Sequence, residues 1–376
     1  MGRVVISASV SALIYFVIGC SKGPEQAANP SKETQDNRKT NPSTEEKPAA
    51  SLKVGDPAPA LKVTNWLQGD AVEKFEAGKV YVIEFWATGC GAPIRYMPHL
   101  AELQARYKDE GVTIISFTSR GIRGRPDNTE EKVAAFVKKR GPTLNYRFAY
   151  ADDDSTADAW LMAAGQEHFA TFVVDKEGRI AYIGGPMYMG MVLPKVLDDG
   201  ASAKAVGDEM AKVDVDYRAV VETFNRDPEA FLLEFAEFQA KYPPIADFLP
   251  MVYAKLDLLL KRGNSGEGKE YAKMLVAKAI EQNNVFVLEA AYARLREEKE
   301  SKELLPLAVR AAEALVRIDG GTDAQNLLNL ADAYSVSGDA AKAKEYAQKA
   351  IDAAAEEPAT ERQEIEKEAR KLGAEK

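Results

Sequence analysis

The chain has 376 residues, 46% of them hydrophobic and 28% charged. These proportions fit a soluble globular protein, too long for one small domain and sized for two plus tails. A formal net charge of −9 and no basic stripe argue against nucleic acid as a partner, and two cysteines and two histidines, scattered along the chain, are too few for a structural zinc site of four such ligands, so no metal or cofactor is implied.

Residues 1–19 stand apart from the fold. Arg3 gives a short basic start, and residues 4–18 are mostly apolar, broken by Ser7, Ser9 and Ser11. Val17-Ile18-Gly19-Cys20 resembles a bacterial lipobox, in which cleavage before the cysteine leaves that residue carrying lipid. The alternative is an uncleaved anchor, but fifteen helical residues span only about 22 Å against a hydrocarbon core of roughly 30 Å. The lipoprotein reading is preferred, with Cys20 as the lipidation site, and both readings export the chain. The expected location is the cell envelope or periplasm, membrane-anchored through lipid. Acylation of Cys20 would leave Cys90 as the only free thiol and exclude a disulfide within one chain. Residues 20–50 read as a disordered tether. From Ser21 to Ala50 there are four prolines, ten charges and no Val, Ile, Leu, Met or aromatic residue. Such a segment cannot bury enough apolar surface to offset the entropy of ordering.

Residues 52–200 carry an α/β pattern. A first strand is expected at 61–66. An apolar run at 80–86 reads as a buried strand, followed by the turn Ala87-Thr88-Gly89, then Cys90, then a helix to about Tyr107. A strand follows at 112–118. A helix at 129–139 and a short strand at 146–150 come next, then helix at 155–164. Strands at 171–174 and 179–183 form a hairpin across Asp175-Lys176-Glu177-Gly178, with the glycine suited to positive φ. A closing helix begins at Met189. Cys90 at a strand-to-helix turn meets unpaired N–H groups and the positive end of the helix dipole, which favour a thiolate.

The stretch Phe85-Trp86-Ala87-Thr88-Gly89-Cys90-Gly91, with Met97-Pro98-His99-Leu100 in the following helix, resembles the active site of the thioredoxin superfamily, most closely its exported TlpA/ResA type. The resemblance implies a thioredoxin-like domain with a central mixed sheet flanked by helices, descended from thiol-disulfide oxidoreductases. The helix and strand at 129–150 resemble the insertion that marks this branch. Cys90 matches the attacking cysteine, and Glu84 the buried acid that assists thiol exchange. Two departures stand out. Pro93 replaces the second cysteine, and Phe169 of Phe169-Ala170-Thr171-Phe172 replaces the cis-proline facing the thiol. A cis bond before a non-proline residue costs roughly 2.5–4 kcal/mol, so a trans peptide is expected there. Ala92 and Gly89 also differ from the motif. Pro93 suits a first helical turn but lacks the N–H that a cysteine sulfur there accepts from.

Glu84 lies in a buried strand, so desolvation should raise its pKa; it reads as a relic of the lost second cysteine or as the holder of a water near Cys90. Trp86, Pro93, His168, Phe169 and Ala170 are the candidate substrate groove. His168 is a conceivable partner for Cys90, with a solvated loop histidine as the plainer reading, and His99 reads as structural. The run Arg120 to Arg125 reads as a solvated loop, with anion binding as the alternative.

From about residue 204 to 376 strand signals vanish and helix follows helix. Phe231, Phe235 and Phe238 recur at helical spacing, as do Leu256, Leu259 and Leu260. Leu327, Leu330, Ala331, Tyr334, Gly338, Asp339, Ala343, Tyr346 and Ala350 resemble a tetratricopeptide repeat. An all-α domain of stacked hairpins is expected, binding a protein partner on a concave face or packing on the first domain. Two functions compete: redox chemistry through Cys90 alone on thiols or disulfides of exported proteins or peptides, and a redox-inactive binding scaffold.

Overall fold

A computed structural model describes residues 51–374 apart from 125–127, 167–168, 199, 201, 247–250, 263–264, 300 and 358. Six strands, β1 (Asn65–Gln68), β2 (Val80–Phe85), β3 (Val112–Ser119), β4 (Arg147–Ala151), β5 (Thr171–Val174) and β6 (Ile180–Gly184), form one sheet in the order β1-β4-β3-β2-β5-β6. β2, β3 and β4 run parallel, while β1, β5 and β6 are antiparallel to their neighbours. Every residue of β2 is buried, as expected of a central strand covered on both faces. Alternation sends Val80, Val82 and Trp86 into one core and Tyr81, Ile83 and Phe85 into the other.

The first core is closed by α1 (Gly91–Tyr107), whose Met97, Leu100 and Leu103 bury themselves there. Pro98 lies inside α1 and removes one backbone hydrogen bond from it. α2 (Glu130–Arg140) leads into β4, and α3 (Met189–Leu197) follows β6. The expected hairpin forms, with Gly178 at φ 77°.

Two expected elements differ. The first strand is Asn65–Gln68 rather than 61–66. Thr156 explains this: its hydroxyl accepts from the Lys62 N–H at 2.9 Å and donates to the Lys62 carbonyl at 3.2 Å, so that residue is bonded outside the ladder. The expected helix at 155–164 is one α-helical turn, Ser155–Ala157, continued by a wider π turn over Asp158–Met162.

Among the described residues beyond 200 come α4 (Ala203–Arg226), α5 (Pro228–Lys241), α6 (Met251–Lys261), α7 (Ser265–Glu281), α8 (Val285–Leu295), α9 (Leu305–Ile318), α10 (Ala324–Ser337), α11 (Ala340–Ala353) and α12 (Ala359–Lys371), with a single helical turn at Pro243–Ala246 between α5 and α6. Phe231, Phe235 and Phe238 are buried on α5. Gly338, at φ 91°, ends α10, and Asp339 accepts from the Lys342 N–H to cap α11. Ala331 and Ala347 are fully buried between these paired helices. The α/β sheet domain is therefore followed by an all-helical region, as the sequence implied.

The two regions meet directly. One continuous apolar core contains Val80, Met97 and Tyr182 from the first and Val206, Phe231 and Leu288 from the second. Charged side chains bridge them around this core. Arg95 of α1 meets Glu289 of α8 at 2.6 Å, Arg140 meets Asp323 at 3.6 Å, and Lys139 meets Glu357 at 3.2 Å. Glu289 holds the Arg95 guanidinium above its usual pKa range. The helix that begins after Cys90 is thus packed on the sheet and tied to the helical region.

Candidate functional site

Cys90 occupies the N-cap of α1, with extended backbone at φ −112° and ψ 103°. Its N–H donates to the Ala87 carbonyl at 2.9 Å, closing the turn that leaves β2. The first turn of α1 contains no acidic residue, so nothing there offsets the positive helix end. Pro93 is the third residue of α1 and is buried. Proline cannot donate a backbone hydrogen bond, so the N-cap has one donor fewer than usual. Cys90 itself is 1% exposed and disulfide-bonded. No described cysteine is free, which corrects the expectation of a free thiol at Cys90. That expectation rested on acylation of Cys20, which lies outside the described residues.

A buried hydrogen-bond network grips the turn before Cys90. The Asn128 side-chain oxygen accepts from the Thr88 N–H at 3.0 Å and from the Thr88 hydroxyl at 3.1 Å. The Asn128 side-chain nitrogen donates to Thr118 Oγ1 at 2.8 Å and to the Ser119 carbonyl at 2.9 Å. The Thr118 hydroxyl in turn donates to the Trp86 carbonyl at 2.6 Å. Asn128 is 1% exposed, so its bonds to Thr118 and Ser119 are shielded from water, while the two to Thr88 are half-buried.

Glu84 sits on the sheet face that α1 covers, opposite Ser116 on β3 and Thr171 on β5. The Ser116 hydroxyl lies 3.3 Å from Glu84 Oε2 and 3.3 Å from the Tyr146 hydroxyl. Glu84 Oε1 and the Thr171 hydroxyl oxygen are buried without a hydrogen-bond partner among the described residues. Burial pushes the Glu84 carboxyl up to about 8, opposed only by the Ser116 hydrogen bond. Glu84 therefore holds its proton at neutral pH. The Tyr146 phenol is raised well above its usual range by burial and by the neighbouring Glu84.

The remaining groove candidates are placed differently from one another. Trp86 is fully buried, with its ring centroid 4.7 Å from that of Phe136 and 5.9 Å from that of Phe148, so it is core and not groove surface. Ala170 is buried, and its carbonyl accepts from the Phe85 N–H at 3.1 Å, fixing that loop beside the end of β2. Phe169 is half-buried against the second core. No cis peptide bond occurs among the described residues. His168 lies outside the described residues. His99 is buried on α1, where desolvation pushes its imidazole down to about 3 and keeps it neutral. Arg120 lies 3.9 Å from Asp152, both well exposed. Among the described residues no three metal-ligating side chains cluster, and no helix is long and apolar enough to cross a membrane.

Sequence reasoning missed Asn128, Tyr146 and the Arg95–Glu289 pair. Ser116 and Thr118 carried a signal, as polar residues spaced by two in an otherwise apolar strand, and so on one face. Asn128 carried none, being one polar residue in a polar loop.

A β-α-β centre with a cysteine opening the first helix, and a buried acid on the strand before it, defines a thioredoxin-like redox domain. The redoxin family profile matches residues 53–186. Over 151 residues the chain is 37% identical to Protein FixW of Rhizobium leguminosarum, covering 40% of this chain and 68% of that protein. Over 130 residues it is 32% identical to the thiol-disulfide oxidoreductase ResA of Bacillus cereus, covering 34% of this chain and 68% of that protein. A solved thiol-disulfide isomerase from Corynebacterium glutamicum aligns with TM-score 0.30 and 21% identity, over 38% of this chain and 97% of that one. The chain belongs to the thioredoxin superfamily, in its TlpA/ResA-type branch.

Proposed function

We propose that the chain is an exported, lipid-tethered protein that exchanges disulfides through Cys90, one sulfur at a time. The reduced Cys90 thiolate attacks a substrate disulfide, forming a mixed disulfide and releasing one substrate thiolate. A thiol from a second molecule then attacks the mixed disulfide, takes the substrate sulfur into a new disulfide and returns Cys90 as thiolate. The substrates of this reading are thiols or disulfides of exported proteins or peptides; the name of the ResA relative supports the thiol-disulfide chemistry. Glu84 is assigned the role of proton holder on the sheet face beneath α1. The observation that carries this reading is Cys90 at the extended N-cap of α1, where the helix end favours a thiolate and no acidic residue in the first turn opposes it.

Residues 52–200 are read as the exchange unit and 204–376 as a tetratricopeptide-like unit that holds a protein partner. Cys20 is the lipid site of this reading. The test is insulin reduction by the reduced chain. Without added thiol we expect at most one equivalent of insulin disulfide to be consumed; repeated turnover would contradict the reading. Pro93→Cys is expected to restore some turnover. If it does so only together with Phe169→Pro, the remaining block lies in the 169–170 loop.

A second reading, a redox-inactive scaffold, is favoured by the buried Pro93 at the resolving position and by the 1% exposure of Cys90. It predicts no exchange at Cys90 in the folded, reduced chain.

A further inference from the structure

We propose that Asn128, acting through Thr118 and Thr88, is a positioning residue that holds Cys90 at the N-cap of α1. The inference rests on the reading of Cys90 as the exchanging sulfur. The Asn128 amide uses its full ordinary capacity, accepting two hydrogen bonds and donating two. Its orientation is fixed by partners that cannot reverse roles: the Thr88 N–H can only donate and the Ser119 carbonyl can only accept. Aspartate in its place would supply no donors, and serine would supply one donor on a shorter side chain. The Thr118 hydroxyl completes the chain of bonds, accepting from Asn128 and donating to the Trp86 carbonyl.

The network therefore holds the chain at Trp86 and Thr88, on either side of Ala87, whose carbonyl receives the Cys90 N–H. With those points fixed, little backbone freedom is left before Cys90. The cysteine is held in the extended conformation that an N-cap requires, next to the unpaired N–H groups of α1. Nothing in this network touches the reacting sulfur. Its effect on the thiolate is exerted through the position of the turn.

The test uses the full chain with Cys20→Ser, reduced, so that Cys90 is its one thiol. Thiolate absorbance is titrated with pH, and the rate of reaction with dithiodipyridine is measured across the same range. Asn128→Ala and Thr118→Val are expected to raise the apparent Cys90 pKa by about half a unit, the size of a lost helix-end interaction. Thr118→Ser keeps the hydroxyl and is expected to titrate as the natural chain does. Folded Asn128→Ala and Thr118→Val variants that titrate with the natural pKa would overturn the proposal. A measurement without variants guards against misfolding: the Thr88 amide is expected to exchange hydrogen slowly in the natural chain, and fast exchange there would equally overturn it. The exchange reading fails separately, if natural Cys90 titrates but never reacts with a disulfide.

Discussion

Replacing Glu84 by glutamine should change how stability depends on pH, and the structure sets the sign. Below pH 4.5, the ordinary value for a glutamate, folded and unfolded chains both hold the proton. Between 4.5 and about 8 the folded chain keeps the proton that the unfolded chain releases. Each rising pH unit in that window then favours the unfolded chain by up to about 1.4 kcal/mol, and above about 8 the deficit stays constant. Across the window the ceiling is roughly 5 kcal/mol; local relaxation and water penetration reduce it, so a loss of about 2–3 kcal/mol is the working expectation. Glu84→Gln keeps the shape and the Ser116 contact but cannot ionise. Urea unfolding at pH 5, 6.5 and 8 should show the natural chain losing stability relative to the variant as pH rises. A constant difference between the two across that range would show that the Glu84 carboxyl does not titrate as its burial requires.

Two further outcomes follow from the shared core and from the two cysteines. The full chain should melt in one transition, because a continuous apolar core joins the sheet to the helical region. Glu289→Ala should lower that transition by the equivalent of about 1–2 kcal/mol, the cost of removing a charge-assisted hydrogen bond from the partly buried Arg95; two separate transitions, with only one shifted, would contradict the coupling. A lipid thioether on Cys20 and a disulfide from Cys20 exclude each other, so peptide mass analysis of the membrane-extracted protein decides between them. We expect lipid on Cys20 and a membrane fraction lost in Cys20→Ser; an unmodified Cys20 linked to Cys90 would refute the anchor.

The fold was legible where burial alone set the pattern. The run at 80–86 could only be a covered strand, and Cys90 followed by an apolar helix placed the turn within a residue. Phe231, Phe235 and Phe238 at helical spacing marked a buried face. What stayed illegible depended on single polar contacts across long sequence separations. Thr156 takes the backbone of Lys62 and shortens β1, and no local pattern announces that pairing. Asn128 joins Thr88 across forty residues. Trp86 was readable as core or as pocket lining, and strand alternation decides for the core, with Val82. The contact between α1 and α8 was equally hidden, since Arg95 and Glu289 read singly as surface charges.

The central claim is that Cys90 exchanges disulfides without a resolving partner of its own. The most direct measurement is mass mapping of the reduced, folded chain after reaction with a peptide disulfide. The account predicts one peptide attached at Cys90, stable until a small thiol is added and then released with Cys90 reduced. No adduct at Cys90 in the folded chain, or adducts that resolve without added thiol, would contradict it.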